Sequence, residues 1–160
     1  MAGVAIEGSS ITDTIKANHV RYTIENWVDY YGGDPDADPP IPPRAAHWGA
    51  STTSSTGAKI TGEVATTTAK LKIAGDYIAL VGDSTNEQWI DYPEVPSSTS
   101  DTRYTAITPT SGSSNGEITS GSSKVFLGGK AVALVGSTVN TCLDTTATIS
   151  SGNSKFNVAG

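Results

Sequence analysis

Residues 116–136 read GEITSGSSKVFLGGKAVALVG, two short β-rich runs that meet at Gly128-Gly129. A two-residue turn that matches strand twist needs positive φ, which glycine supplies at little steric cost, so Lys124–Leu127 and Lys130–Val135 are expected to form a β-hairpin. Working outward, residues 62–83, GEVATTTAKLKIAGDYIALVGD, align with residues 116–137 at a constant offset of 54 without a gap, with eight of the 22 positions identical. A third copy, truncated at the turn, closes the chain: ISSGNSKFNVAG (149–160) aligns with 118–129 at an offset of 31. Hairpins that each bury only one face must pack on one another. The pattern predicts an all-β, compact, pseudo-threefold arrangement of three hairpin copies within one domain spanning 1–160.

The rest of the chain is placed relative to these copies. Val4 and Ile6 alternate like a short edge strand, and HVRYTIENWVDYY (19–31) sets Val20, Tyr22, Ile24, Val28 and Tyr30 on one period-2 face, as in a strand or extended arm. GGDPDADPPIPP (32–43) combines turn residues with fixed-φ prolines and is expected to be an exposed loop, part polyproline II. Residues 1–61 thus form N-terminal strands and a Pro-rich acidic loop. Ser84–Asn115, between the first two copies, carries Trp89, Tyr92, Pro93 and Pro96 and reads as a long inserted loop, which at this length has a role in contact or is mobile.

Composition narrows the function. With 36% apolar residues in 160, the core is thin and needs help from something else. The net charge of −6 and the lack of a basic run disfavour nucleic acid as a partner. The N-terminal sequence lacks a charged leader followed by an apolar run, and no stretch approaches the roughly 20 apolar residues that span a bilayer, so synthesis in the cytoplasm without a signal peptide is expected. The single cysteine, Cys142, excludes an internal disulfide and leaves a buried thiol, a metal ligand or a reactive group.

The pattern carried by Gly116, Ile118, Gly121, Ser122, Val125, Phe126, Gly129, Val132, Ala133, Val135, Gly136 and Cys142, then Ile149, Gly152, Ser154 and Phe156, resembles the PAAR-repeat proteins. These sharpen the spike tips of type VI secretion systems, contractile phage tails and related injection particles. The tetrapeptide that names the family is absent: Ala131–Leu134 and Tyr77–Leu80 stand where it should fall, and Pro43-Arg44-Ala45-Ala46 lies outside the copies. The family's Gly-Asp is kept as Gly82-Asp83 but is Gly136-Ser137 in the second copy, which marks a divergent member.

The resemblance implies a cone whose base seats on a trimeric spike protein, VgrG-like or a phage hub-spike, with one tip per trimer. It also implies assembly at the distal end of a phage tail or injection particle, transient contact with the target envelope and no enzymatic activity. Family tips commonly hold zinc near the vertex, less often iron, with histidines and one cysteine. His19, His47 and Cys142 are the candidates here, with Asp144, Asp13 or a water to complete four ligands. Each has a plainer alternative: His19 starts a strand, His47 stacks beside Trp48, and Cys142 is a buried inert thiol.

Other motifs fail on chemistry. Asp34, Asp36 and Asp38 mimic a calcium loop, but Pro39 and Pro40 stand where its glycine turn belongs. No G-x-S-x-G elbow and no glycine-rich phosphate loop occurs. Lys124, Lys130 and Lys155 read as solvated strand residues. The rival reading is a tail-fibre or surface carbohydrate-binding β module that uses Trp27, Trp48, Trp89 and the tyrosines as sugar platforms.

Overall fold

The computed structural model describes residues 1–65 and 67–159. The described residues form fourteen strands and no helix: β1 Ala2–Val4, β2 Thr14–Val28, β3 His47–Trp48, β4 Thr52–Val64, β5 Lys72–Ile73, β6 Asp76–Tyr77, β7 Ser84–Tyr92, β8 Thr102–Ala106, β9 Ser111–Ile118, β10 Phe126–Leu127, β11 Lys130–Ala131, β12 Thr138–Asn140, β13 Thr146–Thr148 and β14 Asn153–Val158. The all-β expectation holds, and its physical basis is a chain rich in Ser, Thr and Gly with no long run of helix formers.

Three short segments, Val4–Ile6, Ile78–Leu80 and Val132–Leu134, close a triangle at the centre. Ala5 donates its N–H to Ala133 O, Ala133 to Ala79 O and Ala79 to Ala5 O, each at 2.9 Å. The bridges Val4↔Leu134, Ile6↔Ile78 and Leu80↔Val132 form its sides. All three alanines are fully buried, as a small side chain must be where three backbones converge.

After each side the chain turns at a glycine with positive φ, Gly8 (84°), Gly82 (96°) and Gly136 (94°). The next residue's side chain closes the turn: Ile6 N–H donates to Ser9 Oγ at 2.9 Å, Leu80 N–H to an Asp83 carboxylate oxygen at 2.8 Å, and Leu134 N–H to Ser137 Oγ at 2.9 Å. The aspartate-to-serine departure between the copies therefore preserves the acceptor.

Beyond the turns, six strand segments form a closed ring. β4 pairs β7, β7 pairs β9, β9 pairs β12 and β12 pairs β13. The ring closes through the segment before β2, where Ile11 bridges Ile149, Thr12 N–H donates to Thr148 O at 2.8 Å, and Ser10 bridges Glu63. Val64, Ile118, Ile149, Ile11, Val139 and Ala147 fill the ring with the three alanines as its floor. A second cluster lies on the other face of the triangle, with Val4, Ile78, Leu80, Val132, Leu134, Ala69 and Val158 packed against Ala2, Ile73 and Leu127. Full burial of each large aliphatic side chain stabilises by roughly 1.5–3 kcal/mol.

Hairpins flank this second cluster. β10–β11 turns at Gly128 (φ 60°) and Gly129 (φ 83°), as the opening stretch predicts, and β5–β6 turns at Ala74 (51°) and Gly75 (93°). The third hairpin has no turn. β14 pairs with β1 (Ala2↔Val158, Gly3↔Asn157), so the N-terminal strand completes the copy that stops short at the C-terminal end. Residues 1–6 are thus the missing half of a repeat, and the expectation of a separate edge strand is corrected. Val4–Ser9 (VAIEGS) against Val132–Ser137 (VALVGS) is the sequence signal. Gly160, which ends the third copy, lies outside the described residues, as does Thr66 in the first.

The copies differ above the ring. In the last copy a tight turn, residues 141–145, joins β12 to β13. In the others the same connection runs far out. β2 and β4 continue as a long antiparallel pair from Thr14↔Ile60 to Ile24↔Thr52, and β7 and β9 continue to Ile90↔Ser111. β8 covers the outer edge of β2. The segment 84–115, expected as a loop, is therefore largely strand. The Pro-rich segment 32–43 is likewise the end of a hairpin, since Trp27↔Trp48, Val28↔His47, Tyr31↔Arg44 and Asp34↔Ile41 share one register.

Candidate functional site

The hairpin end of the molecule combines symmetry with exposed apolar surface. By the offsets of 54 and 31, Leu71, Val125 and Phe156 are equivalent positions, and they are 48%, 38% and 49% exposed. Phe126 and Tyr77 are exposed beside them, and Ile73 and Leu127 are half-buried. A threefold set of unpartnered apolar side chains is costly in water unless another surface covers it.

Charge is segregated at the same end. Segments 1–6, 65–82, 119–136 and 150–159 hold five of the seven lysines, Lys70, Lys72, Lys124, Lys130 and Lys155, and one carboxylate, Asp76, in a chain of net charge −6. Lys70, Lys124 and Lys155 are equivalent by the same offsets, and all five lysines are exposed. Read as isolated solvated residues, they gave no sign of a site. The missed signal is their position immediately before Leu71, Val125 and Phe156 in every copy.

Side-chain caps set these positions. Ser122 Oγ accepts the N–H groups of Lys124 and Val125, both at 3.1 Å, and Asn153 accepts those of Lys155 (2.8 Å) and Phe156 (3.1 Å). Thr68, their equivalent, instead donates its N–H and hydroxyl to Asp83 at 3.2 and 2.6 Å. Such local bonds hold non-helical backbone in one conformation.

The proposed metal ligands are not brought together. His19 lies on β2, half-buried, its ring edge-on to Trp89 at 4.7 Å. His47 is exposed at the root of the 27–48 hairpin, with Nδ1 2.8 Å from Ala45 O. Cys142 sits in the tight turn of the last copy, where its N–H donates to Glu87 Oε1 at 3.2 Å. Asp13 pairs with Lys59 at 3.3 Å, and Asp144 shares the Cys142 turn with φ 61°. Among the described residues no group of three or more His, Cys, Asp or Glu is placed to hold an ion.

Glu87 was not singled out by the sequence. It is buried inside the ring, accepts the Thr85 hydroxyl at 2.6 Å and occupies the space above Gly116, where a Cβ would overlap its carboxylate. Burial first, and the Glu87 carboxylate second, push the Cys142 thiol above its usual pKa. Both effects favour the neutral thiol over the thiolate, the more nucleophilic form.

The tryptophans are engaged within the protein. Arg103 lies 4.5 Å over the Trp48 ring, Trp27 meets Trp48 edge-on at 5.4 Å, and Trp89 packs against His19 under Gly112. This leaves Trp48 and Trp89 poor platforms for a sugar ring. No helix among the described residues is long and apolar enough to cross a membrane.

Comparison with known proteins adds one match. No curated protein and no solved structure matches the chain. Residues 110–160 match the family model described as PAAR motif, a stretch that runs from just before β9 through β14 and includes the β10–β11 hairpin and the β14 half of the third copy. Over that stretch, and with an all-β fold, the chain is similar to the PAAR motif family.

Proposed function

We propose that this protein is the structural tip of a contractile injection particle, capping a trimeric spike with its hairpin end and helping to pierce the target envelope. The observation that carries the reading is the threefold set of exposed Leu71, Val125 and Phe156, each preceded by a lysine, on a single chain. One chain with three internal copies presents equivalent contacts to each protomer of a trimer, which a surface without that symmetry cannot do. The PAAR motif supports a spike-tip role and a spike protein as the partner kind. The work is mechanical, with no catalytic step assigned to any residue.

The test is co-expression with a candidate trimeric spike protein followed by native mass measurement. A complex of one chain per three spike chains is the expected result. Absence of any complex, or self-trimerisation of this chain alone, would sink the reading.

A further inference from the structure

The sheet above the ring has two edges, and the protein treats them differently. The β2 edge is covered: Tyr22–Asn26 pairs with β8, Ile107 N–H donates to Arg21 O at 2.9 Å, and Arg21 N–H donates to Thr108 Oγ1 at 2.8 Å. The β9 edge is open. β9 pairs with β7 from Ser111 to Glu117, but with β12 only at Glu117 and Ile118, so among the described residues no strand lies outside Ser111–Gly116.

Ladder parity shows which groups face outward. Asp91 donates its N–H to Thr110 O at 2.8 Å, and Ile118 N–H donates to Asp83 O at 3.0 Å, so even-numbered residues of β9 turn their backbone groups toward β7. Antiparallel pairing alternates direction, leaving the N–H and C=O groups of Ser111, Ser113 and Asn115 facing away from the sheet. Natural edges are usually blunted by lysine, proline, a bulge or a covering loop. Residues 111–116 read SGSSNG, with no charge and no proline, and their register with β7 is unbroken.

We propose that this edge accepts an extended segment of a partner protein as an added strand, with a basic side chain of the segment placed against Glu117 and Asp144. Those two carboxylates are exposed at the lower end of the open edge and line a shallow recess with Asn115, Asn140, Thr141 and Cys142. Neither makes an ion pair with a described residue. Strand addition supplies affinity through backbone bonds, and the flanking charge selects the occupant. Alternate side chains of the segment would lie beside Ser111 and Ser113, on the sheet face that also carries Ile90, 51% exposed on β7. A second copy of this chain is disfavoured as occupant by its net charge of −6.

The test uses the full chain and a fluorescent peptide, Lys-Thr-Val-Thr-Val-Thr-Lys, followed by anisotropy and amide NMR. Saturable binding with shifts centred on Ser111, Ser113 and Asn115 is expected, at least tenfold weaker when glutamate replaces both lysines or when the valines are N-methylated. Ser113→Pro removes an outward N–H without touching the β7 ladder and is expected to abolish binding with the melting temperature unchanged. If that variant does not fold, the N-methylated peptide makes the same discrimination on the unaltered protein. Equal binding of the lysine and glutamate peptides, or of the N-methylated peptide, would overturn the proposal. So would dimerisation of the free chain through this edge, relieved by Ser113→Pro. The edge lies across the triangle from the hairpin end, so Ser113→Pro should leave assembly with a trimeric spike intact, which separates failure here from failure of the tip reading.

Discussion

Ala5 donates its N–H to Ala133 O at 2.9 Å and so joins the N-terminal strand to a hairpin from the opposite end of the sequence. With Ala79 it completes a backbone triangle whose every member is fully buried. A larger side chain at any corner meets the packed ring. Ala5→Leu, Ala79→Leu and Ala133→Leu are each expected to destabilise by about 1–3 kcal/mol, with Ala17→Leu on the exposed surface near neutral. Denaturant unfolding would check this, and widely unequal effects at the three corners would refute the symmetry.

The third hairpin is held without a covalent turn, because β1 and β14 come from the two ends of the chain. A circular permutant that links the C-terminal end to the N-terminal end with a short Gly/Ser loop, and opens the chain at Gly128-Gly129, is expected to keep the native circular dichroism spectrum and cooperative melting. Termini placed in tight exposed turns are tolerated when no buried hydrogen bond is cut. Loss of the folded state would show that the two hairpins are not interchangeable.

Side-chain acceptors at the triangle turns differ in how many donors they hold. Ser137→Ala strands the buried Leu134 N–H and is expected to cost about 1–3 kcal/mol. Asp83→Ala should cost more, since Leu80 N–H, Thr68 N–H and the Thr68 hydroxyl all lose their acceptor. Comparison of the two variants' unfolding midpoints decides the order.

The hairpin end should dock with a salt-dependent rate. Replacing Lys70, Lys124 and Lys155 together by alanine is expected to slow association with a trimeric spike by roughly tenfold at low salt while leaving dissociation little changed. Phe156→Ser, by contrast, should mainly speed dissociation. Stopped-flow association at two ionic strengths measures both.

The Cys142 thiol is raised by burial and by Glu87. Its neutral form is the one the fold favours, so this contribution is present below the unfolded thiol's pKa and is lost as pH rises through the folded value. Alkylation should be slow near neutrality and rise only at a higher pH than for a free cysteine. Glu87→Gln removes the carboxylate's charge and should shift the profile down.

Much of the fold was legible because it repeats. Gly128-Gly129 announced its turn, and the offset of 54 announced a second hairpin with the same buried face. The junction of β1 and β14 was harder to read, since one strand of a unit stands at each end of the chain and no local pattern joins Val4 to Asn153. The long pairs β2–β4 and β7–β9 were obscured by serine and threonine, whose alternation says little about which face is buried. Gly32–Pro43 misled through its prolines, which sit at the end of a hairpin and interrupt little of its ladder. The docking residues were present in the alignment, but exposed side chains show no periodicity until the fold puts equivalent positions around one axis. The metal candidates share residue type but carry no constraint on distance in the sequence, and among the described residues no group of three or more His, Cys, Asp or Glu comes together.

The tight turn after β12, set beside the two long excursions, makes the molecule threefold at one end only. Seated on a trimer, such a chain has three equally favourable orientations related by 120° steps, and nothing in the joint selects among them. Each particle would therefore carry its arm at a random azimuth. Images averaged under threefold symmetry would show the ring sharply and reduce the 27–48 hairpin to a faint collar, whereas symmetry-free classification would restore it.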